Sequence, residues 1–178
     1  GIGFLLGTVT GVVTGVVTAI HRGGVVDYVG RFLALAGQSL PGFYVAIVAI
    51  VIFSVYLDWL PATGRGFPED SLWEKTKHFI LPTFVIGWGG FAGYLRMTRS
   101  AMLEIMDSEF IKLARAKGVS ERGVIWKPAF RNAIIPPITI TSLSLAGFIT
   151  GAAITELIFS WPGIGRMGLE ATFQNDIM

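Results

Sequence analysis

Residues 2–20 read IGFLLGTVTGVVTGVVTAI, and no charged side chain interrupts them. Crossing a bilayer takes about 20 apolar residues of helix, and lipid offers the backbone no partner but its own carbonyls, so a membrane helix is the expected form. Within the run, Gly3, Gly7, Gly11 and Gly15 recur at every fourth position. On a helix this spacing puts them on one face, with Thr10, Thr14 and Thr18 along a neighbouring ridge, and so smooth a groove lets another helix approach closely.

Three further stretches have span-like length and composition, 32–57, 79–95 and 134–159. The third of the four is the shortest, with Trp73 before it and Trp88 and Tyr94 within it as candidate interface anchors. A chain that is 52% apolar and 15% charged suits the bilayer rather than water. The expected fold class is therefore all-α, a polytopic transmembrane helix bundle with four spans. Gly89/Gly93 and Gly147/Gly151 repeat the four-residue glycine spacing. For all these pairs helix packing, within the chain or against a partner, is the first reading and a face lining a path the second. Because residue 1 is Gly inside an apolar run and the chain stops at Asp176-Ile177-Met178, a fragment of a longer protein is expected.

Orientation follows from Lys and Arg. Segments 21–31 and 96–133 together hold ten of them, against four in 58–78 and 160–178. The richer side is expected to be cytoplasmic. Segment 58–78 then lies outside, where Pro61, Gly64, Gly66 and Pro68 favour turns over a long helix. The net charge of only +2, with the basic residues set between apolar runs, excludes a nucleic-acid binder. Cysteine is absent, so neither disulfides nor thiolate metal sites are available. His21 and His78 fall on opposite sides of this topology, and no metal site or catalytic set is expected.

From Leu103 the apolar residues Leu103, Met106, Phe110 and Leu113 step by three and four, which predicts an amphipathic helix. Gly118 suits the left-handed residue that ends it. Ser120 suits the cap of a second short helix, running from Glu121 to Lys127 before Pro128 interrupts. Such a helix could lie on the inner leaflet or dock in a groove of another protein; periodicity does not separate the two.

The stretch Phe110-Ile111-Lys112-Leu113-Ala114-Arg115-Ala116-Lys117-Gly118-Val119-Ser120, followed by Arg131-Asn132-Ala133 and Pro136, resembles the cytoplasmic loop of binding-protein-dependent importer permeases. That loop reads Glu-Ala-Ala, three residues, then Gly. Placing Gly118 on the glycine sets Lys112, Leu113 and Ala114 on the triplet, where only Ala114 matches. The Ala114 to Gly118 form, Ala-Arg-Ala-Lys-Gly, is that of the peptide and nickel branch, although Pro128 stands where that branch usually has His. Ser39-Leu40-Pro41-Gly42-Phe43, Phe53-Ser54-Val55 and Trp59-Leu60-Pro61-Ala62-Thr63-Gly64 are similar to the first permease of dipeptide and oligopeptide systems. Glu156, Phe159 and Pro162-Gly163-Ile164-Gly165 resemble the segment before the family's last span.

The resemblance implies one permease transmembrane domain over 1–178, six spans in the full subunit, and a coupling element at 109–127. It implies ATPase contacts at Phe110, Leu113, Ala114, Arg115, Ala116, Lys117, Gly118 and Ser120. The implied partners are a second permease subunit, two ATPase subunits that carry ATP and Mg, and an extracytoplasmic solute-binding protein, all at a bacterial or archaeal inner membrane. No phosphate-binding Gly-x-x-x-x-Gly-Lys-Ser/Thr motif occurs in this chain, so no cofactor is expected on it. The substrate implied is a peptide, nickel or another small solute.

Polar groups inside spans are costly and so are candidates for function. Gln38 and Ser39 either line the path or satisfy carbonyls freed by Pro41. Thr139 and Ser142 are further path candidates, with back-bonding to their own helix as the other reading, shared by Thr141 and Ser144. Glu156 is a gate, a binding-protein contact or an interface residue. A secondary transporter or channel is the alternative function; it would show ionisable groups at mid-span, where this sequence has none. A membrane-anchored assembly protein is a third.

Overall fold

The computed structural model describes residues 1–151 and 153–173, and every regular element among them is a helix. The side chains of 145–152, and with them the Gly147/Gly151 pair, lie outside the described residues, as do Asp176-Ile177-Met178. Helix α1 covers Ile2–Ile20, the whole of the uncharged glycine-bearing run. Segment 32–57 is not a single span. The chain forms α2 (Val25–Ser39) and α3 (Gly42–Ile50), the latter extended by a π turn at Val51–Tyr56. Pro41 has no N–H to continue a ladder and forces Leu40 away from helical angles, so the helix stops at Ser39. Pro41 instead starts the next helix, its carbonyl accepting from Tyr44 N at 2.9 Å and Val45 N at 3.1 Å.

Helix α4 (Leu72–Met106) is much longer than the 79–95 expected. Its 35 residues rise about 52 Å at about 1.5 Å each, against a hydrocarbon core of about 30 Å. Hydropathy sees only the apolar middle; the charged ends, with Glu74, Lys75 and Lys77 before it and Arg96, Arg99 and Glu104 after, are helical too. Most of 96–106 is therefore helix rather than loop, and the outer segment is irregular only up to Leu72, with Gly64 and Gly66 at φ 86° and 80°. After α4 come α5 (Glu109–Ala116), α6 (Glu121–Val124), a π turn at Ile125–Ala129, α7 (Phe130–Ala133), α8 (Ile135–Gly151), α9 (Ala153–Ile158) and α10 (Ile164–Phe173). Among the described residues α1 and α4 are each long and apolar enough to cross a bilayer, and α2 with α3 adds a third span if the broken pair is counted as one. The expected fourth span, 134–159, is helical as α8 and α9.

The chain divides into two compact units. One comprises Gly1–Leu5, Leu40–Gly89 and Ser144–Met178. Its core is Ala46, Ala49, Leu81, Val85 and Phe159, with Phe53 and Leu60 packed on it. The hydrogen bond from Gly64 N to Phe159 O, 2.9 Å, ties the outer segment to this core. The other unit comprises Leu6–Ser39 and Gly90–Leu143. Its core gathers Val16, Ala19, Met102, Ile111, Val124, Ile125, Ala129 and Ala133.

The α1 glycine face packs on α4 inside the chain. A Cβ on Gly11 would stand 2.6 Å from Phe91 O, and one on Gly15 2.8 Å from Leu95 O, closer than carbon and oxygen tolerate. Gly3 meets Thr83 O in the same way at 2.6 Å. Gly89 and Gly93 differ, for a Cβ on either would meet nothing within 4 Å.

Candidate functional site

The candidate coupling element departs from the expected periodicity at its start. Leu103, Met106, Phe110 and Leu113 do not share one helix, because α4 ends at Met106 and α5 starts after Ser108, whose φ and ψ of −73° and 154° are extended. In α5 the buried apolar residue is Ile111, fully enclosed, while Phe110 and Leu113 are 43% and 55% exposed. The helix thus has one apolar contact with its own core and a second apolar face outside, where Phe110, Leu113 and Lys117 follow at three and four residues.

The turn after α5 is fixed by backbone geometry. Gly118 has φ 79°, a left-handed conformation that side chains with a Cβ resist. Val119 N donates to Ala114 O at 3.2 Å and Gly118 N to Arg115 O at 2.9 Å, the paired bonds of a Schellman ending. Ser120 then caps α6, its hydroxyl accepting from Gly123 N at 3.3 Å. Arg115 spans the corner, Nε to Glu121 Oε1 at 2.8 Å and Nη2 to Oε2 at 3.3 Å, and so locks α5 to α6. Ala114 is half-buried under this bridge, whereas Ala116 and Lys117 are exposed.

Pro128 does not interrupt the second helix as expected. The backbone from Glu121 passes through the π turn into α7 and remains helical to Ala133. The wider π turn absorbs a proline because the bond its ring would block is not of the i to i−4 kind.

The candidate path residues fall in two places. Gln38 Nε2 donates to Ala92 O at 3.3 Å, and its Oε1 accepts from Arg96 Nη1 at 2.9 Å. It therefore bridges α2 to α4 and does not serve the carbonyls near Pro41. Ser39 beside it is exposed. Thr139 and Ser142 are exposed on α8 and donate to Ile135 O and Ile138 O, each at 3.0 Å, as back-bonding groups do. Thr141 shares a 2.9 Å hydrogen bond with the Tyr94 hydroxyl and so joins α8 to α4. No hydrogen bond links the Gln38 and Thr139 groups among the described residues. Glu156 serves its own neighbourhood. Its Oε2 accepts from Arg166 N at 2.8 Å in the first turn of α10, and its carboxylate fills the space beside Gly163 that a Cβ would need.

Asp27, which the sequence places in a basic loop, has a structural part that its position does not suggest. It lies in the first turn of α2, 1% exposed, with Arg99 Nε at 2.6 Å, Arg99 Nη2 at 3.0 Å and Arg31 Nη2 at 3.2 Å. Gly23 N donates to it at 2.9 Å. A signal is present in the sequence nonetheless: one acid four residues before an Arg, just after Gly23-Gly24, is the pattern of a helix-start carboxylate.

Residues 11–178 match the family described as binding-protein-dependent transport system inner membrane component. The chain is 41% identical over 170 residues to the dipeptide transport system permease protein DppB of Alkalihalophilus pseudofirmus, covering 84% of this chain and 51% of that protein. It is 38% identical over 153 residues to the oligopeptide transport system permease protein AppB of Bacillus subtilis, covering 85% and 48%. Against the dipeptide transport system permease protein DppB of Escherichia coli the figures are 36% over 181 residues, 89% and 53%. The chain spans about half the length of the curated relatives it matches.

Proposed function

The chain belongs to the binding-protein-dependent transport system inner membrane component family, and on that premise we propose that it is part of a permease subunit of an ATP-driven peptide importer. In this reading it contributes half of a translocation path, pairs with a second permease subunit, and receives peptide or a similar small solute from an extracytoplasmic binding protein. ATP and Mg belong to two partner ATPase subunits. The 109–127 segment grips one of them from the cytoplasmic side, with Phe110, Leu113, Ala116 and Lys117 as the contact face and Ala114, Arg115, Gly118 and Ser120 holding its shape.

The observation that carries this reading is the outward face of α5. A helix already anchored through Ile111 has no internal use for an exposed Phe110 and Leu113, and helix-in-groove docking uses such a pair. Rigidity matters as much as exposure: the Gly118 ending and the Arg115 to Glu121 bridge let a push on α5 reach α6 without being lost in the turn. The secondary-transport reading loses ground at Asp27. Its carboxylate is engaged by two arginines and a backbone N–H, whereas an ion-coupled carrier needs a carboxylate it can load.

The test uses the full-length subunit in its assembled transporter. Leu113→Asp is expected to lower ATPase co-purification at least tenfold, and Gly118→Arg to leave the ATPase bound but uncouple hydrolysis from peptide uptake in vesicles. Intact uptake and coupling in both variants would sink the proposal.

A further inference from the structure

We propose that the space between α2 and α4 is a binding site for the headgroup of an anionic phospholipid. A cavity of about 280 Å³ opens there, lined by Arg31, Arg96, Arg99 and Ser100 with Leu35 and Leu95 as its apolar wall. Among the described residues no acidic side chain lines it. Three guanidinium groups stand against the one carboxylate of Asp27 behind them, an excess of two positive charges.

The arginines are held rather than loose. Arg99 is fixed by Asp27, Arg96 by Gln38 Oε1 at 2.9 Å, and Arg31 by Asp27 and by the Tyr28 ring, 4.5 Å from its guanidinium carbon. Each of these partners takes only part of an arginine's hydrogen-bonding capacity. Prepositioned guanidinium groups with donors to spare, and a serine hydroxyl beside them, suit a phosphate oxyanion.

What selects a lipid over a free anion is the surface around the opening. Tyr28, Arg31, Phe32 and Leu35 follow one another at short helical steps along α2, and Phe32 and Leu35 are 69% and 61% exposed. One cavity arginine therefore sits within an exposed apolar stripe, so a ligand with a phosphate and a hydrocarbon tail satisfies both at once. Basic pockets between membrane helices take acidic headgroups for this reason.

The site rests on the membrane-permease reading, which supplies the bilayer, and its test is independent of transport. The complete transporter, stripped of lipid in detergent, is incubated with phosphatidylglycerol or phosphatidylcholine and weighed by native mass spectrometry. Wild type is expected to retain phosphatidylglycerol at about tenfold lower lipid concentration than phosphatidylcholine. Arg31→Gln with Arg96→Gln is expected to abolish that preference, Arg31→Lys with Arg96→Lys to keep it, and Arg65→Gln with Lys77→Gln to leave it unchanged. Equal retention of the two lipids by wild type overturns the proposal, as does an undiminished preference in the glutamine variant. Thermal stabilisation by inorganic phosphate alone would reveal a free-anion site, and protection by a dipeptide alone a site for the peptide carboxylate; either result overturns the lipid assignment. A transporter that takes up peptide without lipid preference refutes this site alone, whereas lipid preference without ATP-driven uptake refutes the transport reading alone.

Discussion

Asp27 shows what a single residue can hide in a sequence. Counted by position it is one acid in a basic segment; in the fold it is enclosed, and removing it leaves Arg99 and Arg31 facing each other without their counter-ion. Breaking a buried pair from one side costs about 3–5 kcal/mol, while replacing both partners with apolar groups of similar size is often nearly neutral. Asp27→Ala is therefore expected to lower the thermal unfolding midpoint of the purified subunit sharply, and Asp27→Leu with Arg99→Leu to recover part of the loss. A double variant no better than the single would show that the pair is not the unit that matters. Gly118 is the opposite case. Its role is legible because a left-handed helix ending has few other solutions, whereas Asp27 and Arg99 stand 72 residues apart and no local pattern announces their pairing.

At the scale of elements, legibility follows the range of the interaction. The glycine face of α1 declares itself by spacing, but spacing cannot say what packs on it. The answer, α4, depends on contacts far along the chain. Gly11→Val should test that face: its Cβ would stand 2.6 Å from Phe91 O and 2.8 Å from Tyr94 Cβ, and neither a carbonyl nor a packed tyrosine yields cheaply. Stability is expected to fall by about 3 kcal/mol, in the range of overpacked cores, while Gly93→Val, with open space around it, should change it little; equal losses in the two would refute the packing account. The broken 32–57 segment and the charged ends of α4 are illegible for a related reason. Hydropathy reports which residues tolerate lipid, not where a helix stops, and Pro41 decides one boundary while charged residues continue a helix past the other.

For the whole molecule, the composition suffices to indicate an all-helical membrane protein, and the resemblance to importer permeases carries over to family membership. Which side faces the cytoplasm rests on the ten to four count of basic residues and can be tested directly. The chain contains no cysteine, so one introduced thiol reports without background. In intact cells a membrane-impermeant maleimide is expected to label Glu69→Cys and not Lys112→Cys until the membrane is opened. The reverse pattern would turn the topology over and, with it, the assignment of α5 to the ATPase side.

The π turn at Ile125–Ala129 has a bearing on how such chains can be edited. A turn of this kind is an α-helix carrying one residue more than its register needs, so its length is itself a setting. Each residue turns a helix by about 100°, and deleting one position between Ile125 and Ala129 would swing Arg131, Asn132 and everything after them by about that angle against the fixed Ile111 and Val124. A one-residue gap there is then not a silent indel but a dial, one that re-aims the following helix while leaving every side chain in the segment before it untouched.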